Sequence, residues 1–434
     1  MTQGFIEELK WRGLLHQTTA GEAATIAHLH TPGRVGYCGF DPTRDSLTIG
    51  NLIQIKLLMH FQRAGHKPIV LMGGGTGLIG DPSGKDAERQ LQTRETIQAY
   101  VEAQRKVFER FLDFGPSSTH GAVLVNNADW LCELKLIEVL RDVGKYFSVN
   151  AMIQRDSVKA RLETREQGIS YTEFSYMILQ AYDFLHLRRS MGCSAQLAGS
   201  DQFGNIVAGV DLIHHAHGRS GEQAEAFGIT TPLVTKADGK KIGKSEHGAI
   251  WLTKDRTSPY ALYQYFLNVD DADALPFLKW FTFLDEPAIA ALADSQARAP
   301  HERAAQRALA SEVTALVHGA DDSERAKRAS DALFSGDVRG LDEGTLAEVF
   351  ADVPSTDHAR NELGGDGVSL IDLLTTTTLA TSKREARQFL QTGAIAVNGE
   401  KVEPEHRLRE SDLLHGTRIL LRRGKRQWHA TRWQ

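Results

Sequence analysis

The chain has 434 residues, 41% apolar and 24% charged, an ordinary globular balance that excludes a disordered or fibrous protein. That length leaves room for about two to four domains with real cores. Fifty Lys and Arg against fifty-five Asp and Glu give a formal charge of −5, so the whole molecule is no basic nucleic-acid binder, although a local basic surface stays open.

The three cysteines, Cys38, Cys132 and Cys193, are far apart and odd in number. They fit neither a disulfide framework nor a metal-ligand pattern, which points to a reducing, cytoplasmic compartment. The N-terminal segment mixes acids into an amphipathic pattern and lacks the apolar core of a signal peptide. No apolar run nears the roughly eighteen residues of a membrane span, so no membrane role is expected.

In chain order, residues 35–40 read as a short buried strand that ends in Asp41-Pro42-Thr43. A helix is expected over 49–64, where Leu52, Ile53, Lys56, Leu57 and Phe61 recur at three- and four-residue steps. Gly65-His66 ends it, and 68–72 reads as a second buried strand, completing a βαβ unit. Residues 122–125 and 195–197 read as further strands, followed by helical runs from about 133 and about 205. The expected fold is an α/β parallel sheet with ligands at the carboxyl ends of its strands.

After about residue 250 the character changes to an Ala-rich, helix-patterned stretch over 259–334. A weakly patterned segment follows and ends in Gly364-Gly365-Asp366-Gly367, a linker signal. From Val368 come a short helix, a Ser-Lys-Arg-Glu-Ala-Arg helix start, and a strand at 394–397 turning at Asn398-Gly399, a strong hairpin signal. Residues 383–434 hold twelve Lys and Arg against six Asp and Glu, so the basic surface lies here. No internal repeat is evident.

Several segments carry chemistry. Gly75-Thr-Gly77-Leu-Ile-Gly80 matches a dinucleotide fingerprint in letters only, because Asp81-Pro82-Ser83-Gly84 breaks the helix that the motif requires. Gly80 to Asp86 also misses a Walker A loop in spacing and in its absent Ser or Thr. The loop is therefore either a tight turn or a place where backbone approaches a ligand, with Asp81 able to accept from an ammonium group.

The turn from Asp41 and Thr43 to Thr48, Gly50 and Asn51 precedes a helix N-terminus, which presents N–H donors to anions; equally, Thr48 suits a plain N-cap. Residues 236–245 carry four lysines and two glycines, suiting either transient neutralisation of polyphosphate or a solvated loop. Tyr176, Gln180 and Asp183 share one face of an otherwise apolar helix over 172–186. A buried carboxylate there needs a structural donor or a ligand pocket, and Tyr37 ends a strand nearby. The seventeen histidines show no His-x-x-x-His pattern with a matching acid, so no metal site is expected.

Tyr37-Cys-Gly-Phe-Asp-Pro-Thr43, Gly77-Leu-Ile-Gly-Asp-Pro-Ser83, 174–183, Gly199-Ser-Asp-Gln202 and Lys241-Ile-Gly-Lys-Ser245 occur in one order along the chain. Together they resemble the bacterial tyrosyl-tRNA synthetases, class I aminoacyl-tRNA synthetases, the last segment resembling the family's KMSKS signature. The residues from Val368 resemble the S4-type RNA-binding module that ends these enzymes.

The resemblance implies a Rossmann-type catalytic domain (1–250), a helical anticodon-binding domain (251–345), a linker (346–367) and an S4-like α+β domain (368–434). It implies a homodimer that activates L-tyrosine with ATP, supplied as Mg-ATP, and then charges tyrosine tRNA. By motif position, Tyr37 and Asp183 are expected at the phenolic hydroxyl. Tyr176, Gln180 and Asp81 are expected at the α-ammonium, and Gln202 at the carboxylate. Asp41, Gly50, Asn51 and Asp201 belong with ATP, Asp201 beside its ribose. Thr43, Thr48, Lys241, Lys244 and Ser245 belong at the leaving pyrophosphate, and Lys85 and Arg89 at the tRNA acceptor end.

The chain departs from the pattern in three places. Thr48-Ile-Gly-Asn51 replaces the usual His-x-Gly-His, Phe203 replaces a Trp, and Ala128 replaces a Tyr beside Asn127, itself expected to line the ATP site. Two other readings stand beside this one: a tryptophanyl-tRNA synthetase, whose indole offers only a donor, and an inactive paralogue used as an RNA-binding protein.

Overall fold

The computed structural model describes residues 4–81, 92–115, 118–155, 158–159, 162, 169–239, 242–245, 248–351, 353–424 and 427–434. These fall into two compact units, one of residues 1–257 with 269–309 and one of residues 258–268 with 310–434.

The first unit is built on a six-stranded sheet in the order β1-β6-β5-β2-β3-β4. Its strands are β1 (Gln17–Thr18), β2 (Val35–Phe40), β3 (Lys67–Met72), β4 (Val123–Asn126), β5 (Ala195–Gly199) and β6 (Phe227–Thr231). All neighbours run parallel except β1 against β6. The chain builds outward from β2 to β3 and β4, then returns to β2's other side for β5 and β6. That reversal opens a crevice beyond the carboxyl ends of β2 and β5, the usual ligand position in such sheets.

Two helices frame the crevice. Helix α1 (Ile49–Arg63) follows β2 and buries Leu52, Ile53, Leu57 and Phe61, the residues whose spacing announces it. Gly36 lets this helix sit close to the sheet, since a Cβ there would meet the Phe61 ring at 2.8 Å. After β4 the chain makes a single turn, α2 (Ala128–Leu131), and the helix expected from about 133 follows over Leu136–Asp142.

Helix α3 (Tyr171–Met191) opens with the Ser170 hydroxyl accepting from the Glu173 N–H at 3.2 Å. It closes at Gly192, whose φ of 66° suits a residue without a side chain. Its Ala181, Phe184, Leu185 and Leu187 pack with Tyr37, Ile69 and Leu71 of the sheet and with Leu212 and Ile213 of helix α4 (Phe203–His217). Strands β7 (Lys244–Ser245) and β8 (Gly248–Ala249) pair antiparallel at the end of the lysine-rich segment.

The second unit carries a five-stranded sheet in the order β12-β11-β14-β15-β9 and a two-stranded pair, β10 with β13. The strands are β9 (Ser355–His358), β10 (Val368–Ser369), β11 (Ile395–Val397), β12 (Glu400–Lys401), β13 (Arg407–Leu408), β14 (Arg418–Arg423) and β15 (Gln427–Trp433). Asn398 and Gly399, with φ of 48° and 90°, make the two-residue hairpin turn their sequence announces.

Alternate residues of β14 feed opposite cores. Ile419 and Leu421 join Leu374 and Trp433, while Leu420 joins Trp428, Leu346 and Phe350. Strand β9, inside the weakly patterned stretch, adds to this sheet parallel to β15. Helix α5 (Lys383–Gln391) is capped by Ser382 and exposes Lys383, Arg384 and Arg387.

Candidate active site

The crevice of the first unit is a cavity of about 370 Å³. It is lined by the carboxyl ends of β2 and β5, by Gly73 and Thr76 after β3, and by the inner face of α3. Of the residues singled out from sequence, Tyr37, Asp41, Thr43, Asn51, Asp81, Tyr176, Gln180, Asp183, Asp201 and Gln202 all line it.

At one end lies Asp183, 1% exposed. Its Oδ1 accepts from Trp130 Nε1 at 2.8 Å and its Oδ2 from Asn127 Nδ2 at 2.9 Å. Burial pushes its pKa up to about 7, against the pull of those two donors, and the negative charge of Asp41 adds to the rise. Both alternatives that the sequence leaves open are therefore realised: Asp183 has structural donors and also faces a pocket. Tyr37, 1% exposed, lines the same end, and its hydroxyl has no hydrogen-bond partner among the described residues. Burial, with the neighbouring Asp183 charge, raises the Tyr37 pKa, so the phenol stays protonated as a donor.

Asn127 ties this end to the middle of the cavity. Its Oδ1 accepts from the Gly75 N–H at 2.7 Å, and its Nδ2 also donates to Thr76 Oγ1 at 3.0 Å. The Thr76 hydroxyl donates to Asp41 Oδ1 at 2.9 Å, and Tyr176 donates to Asp41 Oδ2 at 3.1 Å. Gly73 is required here, because a Cβ would fall 2.2 Å from Asp41 Oδ1. Sequence reading expects Asn127 at the ATP site; its hydrogen bonds reach Asp183 and the glycine turn instead.

A second chain of amides orders the next portion. Gln202 Nε2 donates to Asp81 Oδ2 at 2.7 Å, and Asn205 Nδ2 donates to Gln180 Oε1 at 3.0 Å and Gln202 Oε1 at 3.1 Å. These residues form an acceptor-rich wall with Tyr176 at its edge. Polar side chains that must hydrogen-bond one another when buried are thereby held in fixed rotamers.

At the open end, Thr43 is exposed on the cavity rim and Asn51 faces inward from the first turn of α1. Thr48 and Gly50 are not among the lining residues. The Thr48 hydroxyl donates to Asn51 Oδ1 at 2.9 Å, beside the Thr48 N–H at 3.0 Å, so its proton is held within the helix start. The backbone of Gly243 lies over this turn: a Cβ on it would meet Ile49 Cγ2 at 2.6 Å and the Gly50 nitrogen at 3.5 Å. The lysine-rich segment thus ends against the anion-favouring N-terminus of α1. Lys85, Arg89 and Lys241 lie outside the described residues, as do the side chains of Lys244 and Ser245.

Sequence reading missed Trp130, Thr76, Gln54 and Gln196. The last two line the cavity with side-chain oxygens that are buried and have no hydrogen-bond partner among the described residues. Gln196 stands beside Tyr37 as its register partner, a pairing that no sequence signal announces. Asn127 and Trp130, spaced i, i+3 just past a strand's carboxyl end, were a usable signal. Among the described residues no cluster of His, Cys, Asp or Glu is arranged to hold a metal ion.

The comparisons with known proteins agree with this geometry. Residues 32–335 match the family model described as tRNA synthetases class I (W and Y). Residues 345–431 match a tyrosine–tRNA ligase SYY-like C-terminal domain. The chain is 50% identical to the tyrosine–tRNA ligase of Geobacillus kaustophilus (strain HTA426), over 99% of each chain. It is 47% identical to that of Staphylococcus haemolyticus (strain JCSC1435), over 100% of each.

A solved structure of a C-terminally truncated mitochondrial tyrosyl-tRNA synthetase from Aspergillus nidulans superposes with a TM-score of 0.69 at 32% identity. It covers 76% of this chain and 94% of that one. A tryptophanyl-tRNA synthetase from Encephalitozoon cuniculi shares the fold at 13% identity and a TM-score of 0.53, over 74% of this chain and 87% of that one. With both family models matched in order and half the residues identical across whole relatives, the chain belongs to the class I tRNA synthetases, in their tyrosine–tRNA ligase branch.

Proposed function

We propose that this cavity activates L-tyrosine with ATP and passes the tyrosyl group to tyrosine tRNA. The carrying observation is the ring end. Asp183, with both oxygens fixed by Asn127 and Trp130, accepts the substrate's phenolic hydrogen, and the unpartnered Tyr37 hydroxyl donates to the phenolic oxygen. Phenylalanine would leave the buried Tyr37 hydroxyl unpaired and offer the Asp183 carboxylate no third donor, which costs orders of magnitude; tyrosine–tRNA ligases are the reference case for this discrimination. An indole, a donor only, cannot answer Tyr37.

Asp81, Tyr176 and Gln180 hold the α-ammonium, and Gln202 and Asp201 reach the substrate carboxylate and the ATP ribose. The carboxylate is already nucleophilic and attacks the α-phosphorus. The bond to the bridging oxygen of pyrophosphate breaks, and no general base or covalent intermediate is needed. A hydroxyl of the tRNA's terminal ribose then attacks the carbonyl carbon and AMP leaves. The site's task is alignment and stabilisation of charge growing on pyrophosphate. Thr43, Gly50, Asn51 and the segment of Lys241, Lys244 and Ser245 supply this, while Asp41 serves alignment of ATP and not charge stabilisation, with Mg²⁺ entering on ATP as part of the substrate. Thr48 acts through Asn51 rather than on the phosphates, since its hydroxyl bonds Asn51.

For the remainder, residues 1–250 serve catalysis, 251–345 the anticodon and 368–434 the tRNA, joined by 346–367, whose strand β9 also completes the tail's sheet. Lys85 and Arg89 meet the acceptor end. The exposed basic face of α5 supports the third assignment. A second copy of this chain is proposed as partner. Leu136, Ile137, Leu140 and Val149 are exposed at 69%, 73%, 47% and 57%, large apolar side chains that a partner copy would cover. Three unpaired cysteines support a reducing, cytoplasmic location.

Amino-acid-dependent ATP–pyrophosphate exchange with tyrosine, phenylalanine and tryptophan tests the reading. Exchange with tyrosine alone is expected. Folded protein giving no exchange would replace this reading with an inactive, RNA-binding relative. Sedimentation tests the assembly: a monomer at micromolar concentration would refute it.

A further inference from the structure

The carboxylate that reads the phenol is held by a meshed pair of helical turns. On α2 and the residue before it, Asn127 and Trp130 stand three residues apart and donate to the two oxygens of Asp183. On α3, Asp183 and His186 also stand three residues apart, so they are neighbours on one face. The Trp130 indole spans both. Its N–H edge meets Asp183 Oδ1 at 2.8 Å, and its face lies on the His186 imidazole, with centroids 4.3 Å apart and planes 13° from parallel.

We propose that His186 is a positioning residue for phenol recognition, acting through Trp130. It lies outside the cavity lining and touches no proposed substrate atom. Trp130 is only half-buried and packs in part against the core; the stacked imidazole adds the aromatic contact that holds the indole plane. If the indole turned, Asp183 would lose its Oδ1 donor while remaining buried, and its remaining donor, Asn127, would no longer define the direction in which the free lone pairs point. Partial burial, with Arg189 nearby, holds the imidazole pKa below its ordinary value. The stack is therefore one of neutral rings, and a neutral aromatic can replace it. Tyr182, tilted at 6.4 Å, is the other ring beside His186.

The inference rests on Asp183 being the phenol's acceptor, so the test includes Asp183→Asn. Exchange kinetics are measured with tyrosine and phenylalanine on the full chain, for the parent, His186→Ala, His186→Phe and Asp183→Asn. His186→Ala is expected to raise KM for tyrosine about three- to tenfold, the worth of one aromatic pair, with kcat and KM for ATP unchanged. The tyrosine-over-phenylalanine ratio should fall by the same factor. His186→Phe should restore KM to within about twofold of the parent.

If Asp183→Asn collapses the ratio while His186→Ala leaves KM and ratio untouched, the positioning role is overturned and phenol recognition stands. Loss of kcat and of ATP affinity that His186→Phe fails to rescue would mark a merely structural residue and overturn it equally. If Asp183→Asn leaves the ratio unchanged, the phenol reading itself falls and takes this inference with it.

Discussion

Replacing Asp183 by asparagine should make the substrate-free protein more stable at alkaline pH while ruining its recognition of tyrosine. The carboxyl is 1% exposed, and burial lifts its pKa from an ordinary 3.8 to about 7. A carboxylate whose folded pKa is raised favours the folded state only while protonated. Its contribution is full below the unfolded pKa and is lost as pH climbs through the folded value. At about 1.4 kcal/mol per pH unit of displacement, the ionised form withholds on the order of 4 kcal/mol at pH 8.

Asparagine is neutral throughout and, like the protonated acid, leaves one of the two donors facing an N–H or O–H. The two proteins should therefore unfold alike near pH 4, and the variant should gain roughly 4 kcal/mol between about pH 4 and pH 8. The assay is thermal unfolding across that range without substrate. It follows the transition that tyrosine raises in the parent, since a chain of two compact units need not unfold in one step. Parallel pH profiles for parent and variant would refute the reasoning. Activity carries the opposite sign: in the parent, kcat/KM for tyrosine should fall as pH drops below about 7, where the acceptor becomes protonated.

Three further outcomes are expected. Tyr37→Phe removes a buried hydroxyl without a described partner, so substrate-free stability should not fall, while KM for tyrosine rises about three- to tenfold; a large loss of stability would mean the hydroxyl is already bonded. Thr48→Ala should change adenylate formation by less than about threefold, because its hydroxyl is spent on Asn51, and Asn51→Ala should cost more; the reverse order in single-turnover assays would place Thr48 on the phosphates. Arg384→Glu with Arg387→Glu on α5 should weaken tRNA charging and flatten its salt dependence by about one power per lost phosphate contact, leaving pyrophosphate exchange intact; equal loss of both activities would sink that division of labour.

The sequence by itself determined the pieces that depend on local pattern. Apolar spacing announces α1 to within a residue, the continuous apolar runs announce β2 and β3, and Asn398-Gly399 announces a hairpin whose φ values only such residues adopt readily. A carboxylate sharing one face with Tyr176 and Gln180 on an otherwise apolar helix marks Asp183 as either bonded or ligand-facing, because burial of an unpartnered charge is too costly to be accidental.

Only the tertiary structure decided which groups meet. Strand order sets β4 beside β3 and brings Asn127 and Trp130 to Asp183, more than fifty residues away in sequence. Thr76 and Asp41 join the same network because adjacent parallel strands end together. Strand β9, Ser-Thr-Asp-His, has no apolar signal at all; it is a strand because β15 offers it an edge. Periodicity is a property of neighbours along the chain, whereas hydrogen-bond partners in a site are neighbours across it, and no local pattern encodes that choice.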